Sequence, residues 1–290
     1  MIIHLPVMVR EVLEVLGIAP GGTYVDATVG LGGHAERILG LLNAEGRIIG
    51  IDRDEEALRM ARERLTDRRV ILKKGKFSEV KDIVGETGLH GVDGVFFDFG
   101  VSMMQFRAPG RGFSFHAEEP LDMRMNGTQR MKAEDIVNTY QESELERIFR
   151  EYGEEKYAKR IAKAIGAHRM KKRVTMCTEL AEIVSAVYRR RGRIHPATKT
   201  FQALRIAVND EVAEIEKGLE GSMDVLRSGG RLCTISYHSL EDRTVKNFMR
   251  DAQKDGLVRI ITKKPLSPSH DEVRSNPSSR SAKLRGAERL

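Results

Sequence analysis

From Val25 to Asp54 the chain reads VDATVGLGGH and then, after a mixed stretch, IIGIDRD. An apolar run ends at Asp26, glycines stand at Gly30, Gly32 and Gly33, and a second apolar run ends at Asp52, 22 residues after the first of those glycines. Without a Cβ, glycine lets the backbone turn sharply out of a strand and brings its N–H groups close to a ligand. Few architectures accept strand, glycine turn, helix and strand in that order. Asp52, at the carboxyl end of the second strand, is placed to accept hydrogen bonds from both hydroxyls of an adenosine ribose.

Gly30-x-Gly32-x-x-Ala35 satisfies the dinucleotide fingerprint as well as it suits S-adenosylmethionine, so NAD and a methyl donor compete for this turn. The bland reading is a plain strand-to-helix connection. The rest of the chain has to choose between them.

Short apolar runs at Thr23–Asp26, Arg47–Asp52, Val70–Lys74 and Val92–Asp98 read as strands. Helix-like stretches at 35–42 and 55–65 separate the first three, which predicts a parallel sheet with crossover helices. After Asp98 the rhythm breaks, and residues 101–125, rich in Gly, Phe, Met and Arg, read as an irregular loop close to a site. Helical patterns dominate residues 132–191, with apolar faces in 143–152, 154–168 and 178–188, and read as a helical insertion. A long helical region at 198–226, a tight turn at 227–230 and a buried strand at 232–236 then return the chain to the sheet. The C-terminal stretch from Lys263, rich in Ser, Pro and basic residues, has the composition of extended or partly disordered chain.

Only Cys177 and Cys233 occur among 290 residues, which argues against a disulfide framework or zinc cluster and fits a reducing cytoplasm. Pro6 and the charges at Arg10, Glu11 and Glu14 interrupt the N-terminal apolar run, and no apolar stretch approaches the roughly 20 residues that span a bilayer. A soluble protein is expected. The net charge of +7 is concentrated. Residues 169–193 carry eight basic side chains against two acids, and 258–290 carry eight against three. Two such segments imply a polyanionic partner, with solvated helix faces as the plain alternative.

DGVFFDFGVS places Asp98 and Gly100 at the ligand-binding edge of an open α/β sheet. A carboxylate there can accept hydrogen bonds from an amino group of cofactor or substrate. An exocyclic base nitrogen is a poor nucleophile because its lone pair is delocalised into the ring, and fixed oxygens that take its protons localise and aim that pair. In RGFSFHAEEPLDMRM, Phe113 and Phe115 offer stacking platforms and Arg111 and Arg124 offer phosphate partners, although aromatics at that spacing also suit a core. SYHSLEDR follows the late strand and supplies His238 as a candidate proton acceptor. The absence of a G-x-S-x-G elbow argues against a hydrolase. His4, His195 and His270 lack metal-ligand spacing, and no metal site is expected.

The strings HLPVMVREV, DATVGLGGH, IDRD, DFGVS, RGFSF, PLDMRM, YGEEKYAKRIAKAI, HPATKTFQALRIAVN, SYHSLEDR and NPSSRSAKLR run in order from His4 to Arg285. Together they resemble the RsmH (MraW) family of ribosomal RNA small-subunit methyltransferases. The resemblance implies a class I S-adenosylmethionine-dependent methyltransferase: a Rossmann-like, doubly wound, mostly parallel α/β sheet interrupted by a small helical domain. It divides the chain into a first core part at 1–105, an insertion at 106–196 and a second core part with the basic tail at 197–290. It further implies methylation of the N4 amine of one cytosine in 16S ribosomal RNA near the decoding centre, with the free RNA or the small subunit as partner, in the cytoplasm.

By position, the family's cofactor contacts fall on Gly32, Gly33, His34, Asp52, Phe77, Asp98 and Gln105, which makes Asp98 a cofactor residue before it is a catalytic one. Asp98 and His238 remain the catalytic candidates. Met103 and Phe106 depart from the family's usual V-S-S-x-Q-L, and Tyr237 stands where phenylalanine is usual. The competing functions are an RNA-binding assembly factor with a vestigial cofactor pocket and an NAD-dependent dehydrogenase. The oligomeric state, monomer or homodimer, is left open.

Overall fold

The computed structural model describes residues 5–100, 110–116, 118–127, 129–190, 192 and 195–290. His4, Met103, Gln105, Phe106, Arg191 and Arg193 lie outside the described residues. The chain divides into two compact units, Met1–Gly100 with Val212–Leu290, and Val101–Glu211. Among the described residues no helix is long and apolar enough to cross a membrane.

The first unit is built on a seven-stranded sheet of β1 (Thr23–Asp26), β2 (Arg47–Asp52), β3 (Val70–Lys74), β4 (Val92–Asp98), β5 (Leu226–Ser236), β6 (Val258–Ile260) and β7 (Lys283–Arg289). Their order is β3-β2-β1-β4-β5-β7-β6. The first five pair in parallel, and β7 runs antiparallel between β5 and β6. The order of its first five strands is that of a dinucleotide-binding sheet, and the reversed β7 inserted before β6 is a departure from the 3-2-1-4-5-6 order. Helices α1 (Val9–Leu16), α2 (Gly33–Leu39), α3 (Glu55–Arg64) and α4 (Val80–Glu86) belong to the first half of this unit.

Both faces of the sheet are covered, which is why its strands read as near-continuous apolar runs. Val25, Ile49, Ile51, Val95 and Phe97 pack on one face, while Tyr24, Ile48 and Phe96 pack on the other. Each such side chain, fully buried, stabilises the fold by about 1.5–3 kcal/mol. The first four strands coincide with the runs picked out in the sequence. β1 sends its chain out to β2 on one side and pairs with β4 on the other, so a topological switch point lies at its carboxyl end.

The second unit contains α5 (Ala133–Thr139), α6 (Glu142–Glu151), α7 (Ala158–Arg169), α8 (Cys177–Ala186) and α9 (Thr198–Asn209). Its core is built largely from the apolar faces that the helical periodicity marked, among them Leu145, Phe149, Ile161, Ile165, Leu180 and Val184, joined by Phe201 of α9.

Three expectations are corrected. The helical region at 198–226 is broken at Asp210, whose φ of 50° is left-handed, so α9 stops there and α10 (Glu211–Val225) begins anew. Arg205 fastens the break with two 2.8 Å hydrogen bonds to the Glu211 carboxylate. Residues 227–230 are an irregularity inside β5, whose register jumps from Val92↔Leu226 to Gly94↔Arg231, rather than a turn before it. The C-terminal stretch is ordered. It forms α12 (His270–Ser275), which follows α11 (Ser239–Lys254), then a 3-10 turn and β7. Burial of Leu284 and Ala287 and the pairing of buried Arg285 with Asp242 at 2.7 Å hold a segment that composition marked as loose.

Candidate functional site

The glycine turn leaves β1 through a set of backbone bonds that determine where its amides point. The amide of Ala27 donates to Phe96 O, that of Val29 to Ile51 O, and that of Gly30 to Asp52 Oδ2 at 2.9 Å. Gly32 has φ +80°, and a Cβ there would lie 2.8 Å from Leu65 Cδ1, so conformation and space both demand glycine. Gly33 opens α2 with Pro6 packed over it.

Asp26, Asp52 and Asp98 end three neighbouring strands, β1, β2 and β4. Asp52 Oδ1 accepts from the Asp54 amide at 2.8 Å and Oδ2 from Gly30, and each oxygen keeps a second lone pair for a hydroxyl donor. Burial raises the Asp52 pKa above the ordinary carboxylate range against these two bonds. Asp26 is almost wholly buried, and burial pushes its pKa up to about 8, aided by the charges of Asp98 and Asp52. It therefore stands protonated at neutral pH, so the three carboxyls do not carry three charges.

Asp98 is held from two sides and faces a ring nitrogen on the third. Its amide donates to Thr28 Oγ1 at 2.7 Å, its Oδ1 accepts from the Tyr237 hydroxyl at 2.8 Å, and its Oδ2 lies 3.9 Å from His34 Nδ1. His34 is buried, and its Nε2 is 2.8 Å from Val7 O. A carbonyl accepts only from a protonated nitrogen, which leaves Nδ1 with its lone pair toward Asp98. Burial lowers the His34 pKa to about 4, so the ring is neutral and the 3.9 Å contact is two acceptors facing each other rather than an ion pair. The Tyr237 phenol is kept protonated by burial and by the Asp98 charge, both of which raise its pKa.

Phe77 stands in the 3-10 turn Phe77–Glu79 after β3, its ring edge-on to Phe97 and Phe99 at 5.8 and 5.7 Å between centroids. Gly218 of α10 makes room for it, since a Cβ there would come within 2.9 Å of Phe77 Cδ2. Gly32, Gly33, His34, Asp52 and Asp98 thus gather at the switch point and Phe77 joins the apolar cluster of Phe97 and Phe99, while Gln105 lies outside the described residues. His238, the other catalytic candidate, caps α11: Nδ1 accepts from the Glu241 amide at 3.4 Å and Nε2 lies 3.0 Å from Glu241 Oε1. Sequence reasoning gave no role to Asp26, Thr28 or Tyr237. Asp26 had a signal, since it ends its strand as Asp52 and Asp98 end theirs.

The residues marked for nucleic acid are differently placed. Phe113 is buried in the core of the second unit, and Phe115 stacks on His195 with centroids 4.4 Å apart. The Arg124 guanidinium is bound to Asp122 at 2.7 and 2.8 Å and to Gly127 O at 2.9 Å. In the two basic segments, Arg173 pairs with Glu134, Lys172 with Glu179, Arg259 with Glu288, and Lys283 and Arg285 with Asp242. Arg189 and Arg190 are exposed.

The profile of the MraW methylase family matches residues 1–290. A protein of Persephonella marina named Ribosomal RNA small subunit methyltransferase H is 51% identical over the whole of both chains. One of the same name from Carboxydothermus hydrogenoformans is 47% identical over 99% of this chain and 98% of its own. A crystal structure of a proposed rRNA-methylase from Clostridium thermocellum shares the fold at a TM-score of 0.50 over all of both chains, with 13% sequence identity.

Proposed function

This chain belongs to the MraW methylase family, and on that premise we propose that it uses S-adenosylmethionine to methylate small-subunit ribosomal RNA, at the N4 amine of one cytosine near the decoding centre of the 16S molecule. Relatives named for small-subunit ribosomal RNA methylation, matched end to end, support the substrate class. The observation that carries the reading is the convergence of Asp52, Asp98 and a neutral His34 on the glycine turn at the switch point.

The residues fit the cofactor. Asp52, fixed through both oxygens by backbone amides, would accept the ribose hydroxyls through its remaining lone pairs. Phe77 would flank the adenine. Asp98 Oδ2 and His34 Nδ1, two acceptors 3.9 Å apart, suit the donors of an ammonium group such as that of the methionine moiety, with Gln105 assigned nearby. When bound, the cofactor supplies an electrophilic sulfonium methyl.

The protein's own contribution is positioning and electrostatics. Asp98 arrives already oriented by Tyr237 and by Thr28, so little reorganisation is needed on binding. Protonated Asp26 keeps a further negative charge out of the site at neutral pH. We assign His238 to holding the turn that carries Tyr237: Glu241, which binds the His238 ring, also accepts from the Tyr237 amide at 2.7 Å. The helical insertion expected over residues 106–196 is assigned to the RNA. We assign the protein to the cytoplasm, where a ribosomal substrate would meet it.

The test is methyl transfer from labelled S-adenosylmethionine to small subunits and to their free RNA, with mass mapping of the product. One N4-methylcytosine is expected. A methyl group on another nucleotide would overturn the target, and no transfer to either substrate would overturn the enzyme.

A further inference from the structure

Residues 156–173, KYAKRIAKAIGAHRMKKR, hold eight Lys and Arg and no acid, and the next acid is Glu179. This stretch is α7 with its flanks. Ile161, Ala162 and Ile165 face the core, while Lys156, Tyr157, Lys159, Arg160 and Lys163 are exposed. Arg169, Lys172 and Arg173 are bound to neighbours of the same unit. Lys156, Lys159, Arg160 and Lys163 make no ion pair among the described residues.

Stability does not account for that row. Lys159 and Arg160 stand in the first turn of α7, where the helix dipole favours acids, and no acid is there. Lys159 and Lys163 are one turn apart, an i,i+4 pair of like charges that costs the helix a few tenths of a kcal/mol. The Arg160 guanidinium lies 5.6 Å from the centre of the exposed Tyr157 ring. A polyanion would relieve both the dipole and the like-charge repulsion by neutralising the row. A ring beside a guanidinium is also a surface on which an unpaired base can stack.

We propose that this face of α7, with Lys156, Lys159, Arg160 and Lys163 as phosphate partners and Tyr157 as a stacking ring, docks RNA. The inference rests on the ribosomal RNA reading above. It differs from the expectation drawn from sequence charge, which fell on residues 169–193, where Lys172 and Arg173 are paired with acids and Arg169 is bound to Val137 O.

The experiment compares the full chain with a variant carrying Lys156→Gln, Lys159→Gln, Arg160→Gln and Lys163→Gln, binding a small-subunit ribosomal RNA transcript over a salt series. Glutamine keeps helix propensity, and an unchanged or higher melting temperature will show the fold intact. The variant should bind at least tenfold more weakly near physiological salt. Its plot of log affinity against log salt should be shallower by about three, at roughly 0.7–0.9 for each phosphate that is no longer neutralised. Arg259→Gln, which removes a cation already paired with Glu288, should leave the slope alone. A variant slope and affinity equal to the parent's would overturn the proposal, as would a parent that does not bind RNA. Retention on phosphatidylglycerol vesicles that RNA fails to compete away would overturn it in favour of a lipid surface. RNA binding through this face without methyl transfer would leave the docking surface standing and remove the enzymatic reading alone.

Discussion

The Tyr237 hydroxyl donates a 2.8 Å hydrogen bond to Asp98 Oδ1, joining the end of β5 to the end of β4 across 139 residues of sequence. Phenylalanine at this position would have no such donor. In this chain the phenol orients the carboxylate assigned to the cofactor. Tyr237→Phe keeps the ring and removes a charge-assisted bond of about 1.5–3 kcal/mol. Titration calorimetry should show S-adenosylmethionine bound roughly tenfold more weakly, and the melting temperature should fall by a few degrees with loss of the same bond; equal affinity would leave the bond without a role in binding.

Asp52→Asn tests the ribose acceptor. The amide keeps the shape but puts an NH2 donor opposite a backbone N–H, either that of Gly30 or that of Asp54. Cofactor affinity should fall ten- to a hundredfold, as for the loss of one charge-assisted bond. Undiminished binding in the same calorimetry would refute the assignment.

The pH dependence of stability carries two opposite signatures. Asp26, raised from 3.8 to about 8 by burial, binds a proton in the folded state that the unfolded chain has released, so it makes stability fall as pH rises across that window. His34, lowered from 6.5 to about 4, makes stability rise between those values. Between pH 6.5 and 8 only the Asp26 slope remains of the two. Asp26→Asn should flatten thermal stability over that interval, and a decline as steep as the parent's would show that Asp26 is not its source.

Gly32→Ala strains a left-handed residue and drives a methyl group to 2.8 Å from Leu65. Denaturant unfolding should register a loss of about 1–2 kcal/mol. A loss below half of that would mean that the turn relaxes freely.

Asp242 anchors β7 through Arg285 at 2.7 Å and Lys283 at 3.3 Å. Asp242→Ala leaves the buried Arg285 guanidinium without its carboxylate and should cost about 3 kcal/mol, by analogy with other broken buried pairs. Hydrogen exchange of β7 amides should quicken with it. Unaltered protection there would show that the strand is held by its ladder alone.

Much of the central sheet was legible because its signals are local. A strand covered on both faces carries a short apolar run, as residues 48–51 of β2 and 95–97 of β4 do; a residue at φ +80° needs glycine, and Gly32 supplies it. β7 was hidden for the opposite reason. Arg285, Glu288 and Arg289 give it the composition of a loose tail, and it becomes a strand only because β5 and β6 offer open edges on either side. The break at Asp210 was equally hidden, since nothing in the helical periodicity marks a left-handed residue other than glycine.

The chain's sequence, taken alone, determined its first four strands, its glycine turn and the acids that end β1, β2 and β4, because backbone preference and hydrophobic period act over a few residues. Only the tertiary structure decided which acids stay charged, which tyrosine holds Asp98 and which cations are left for a partner. Each of those depends on burial and on groups brought together from distant parts of the chain, and neither quantity is written in any single stretch of residues.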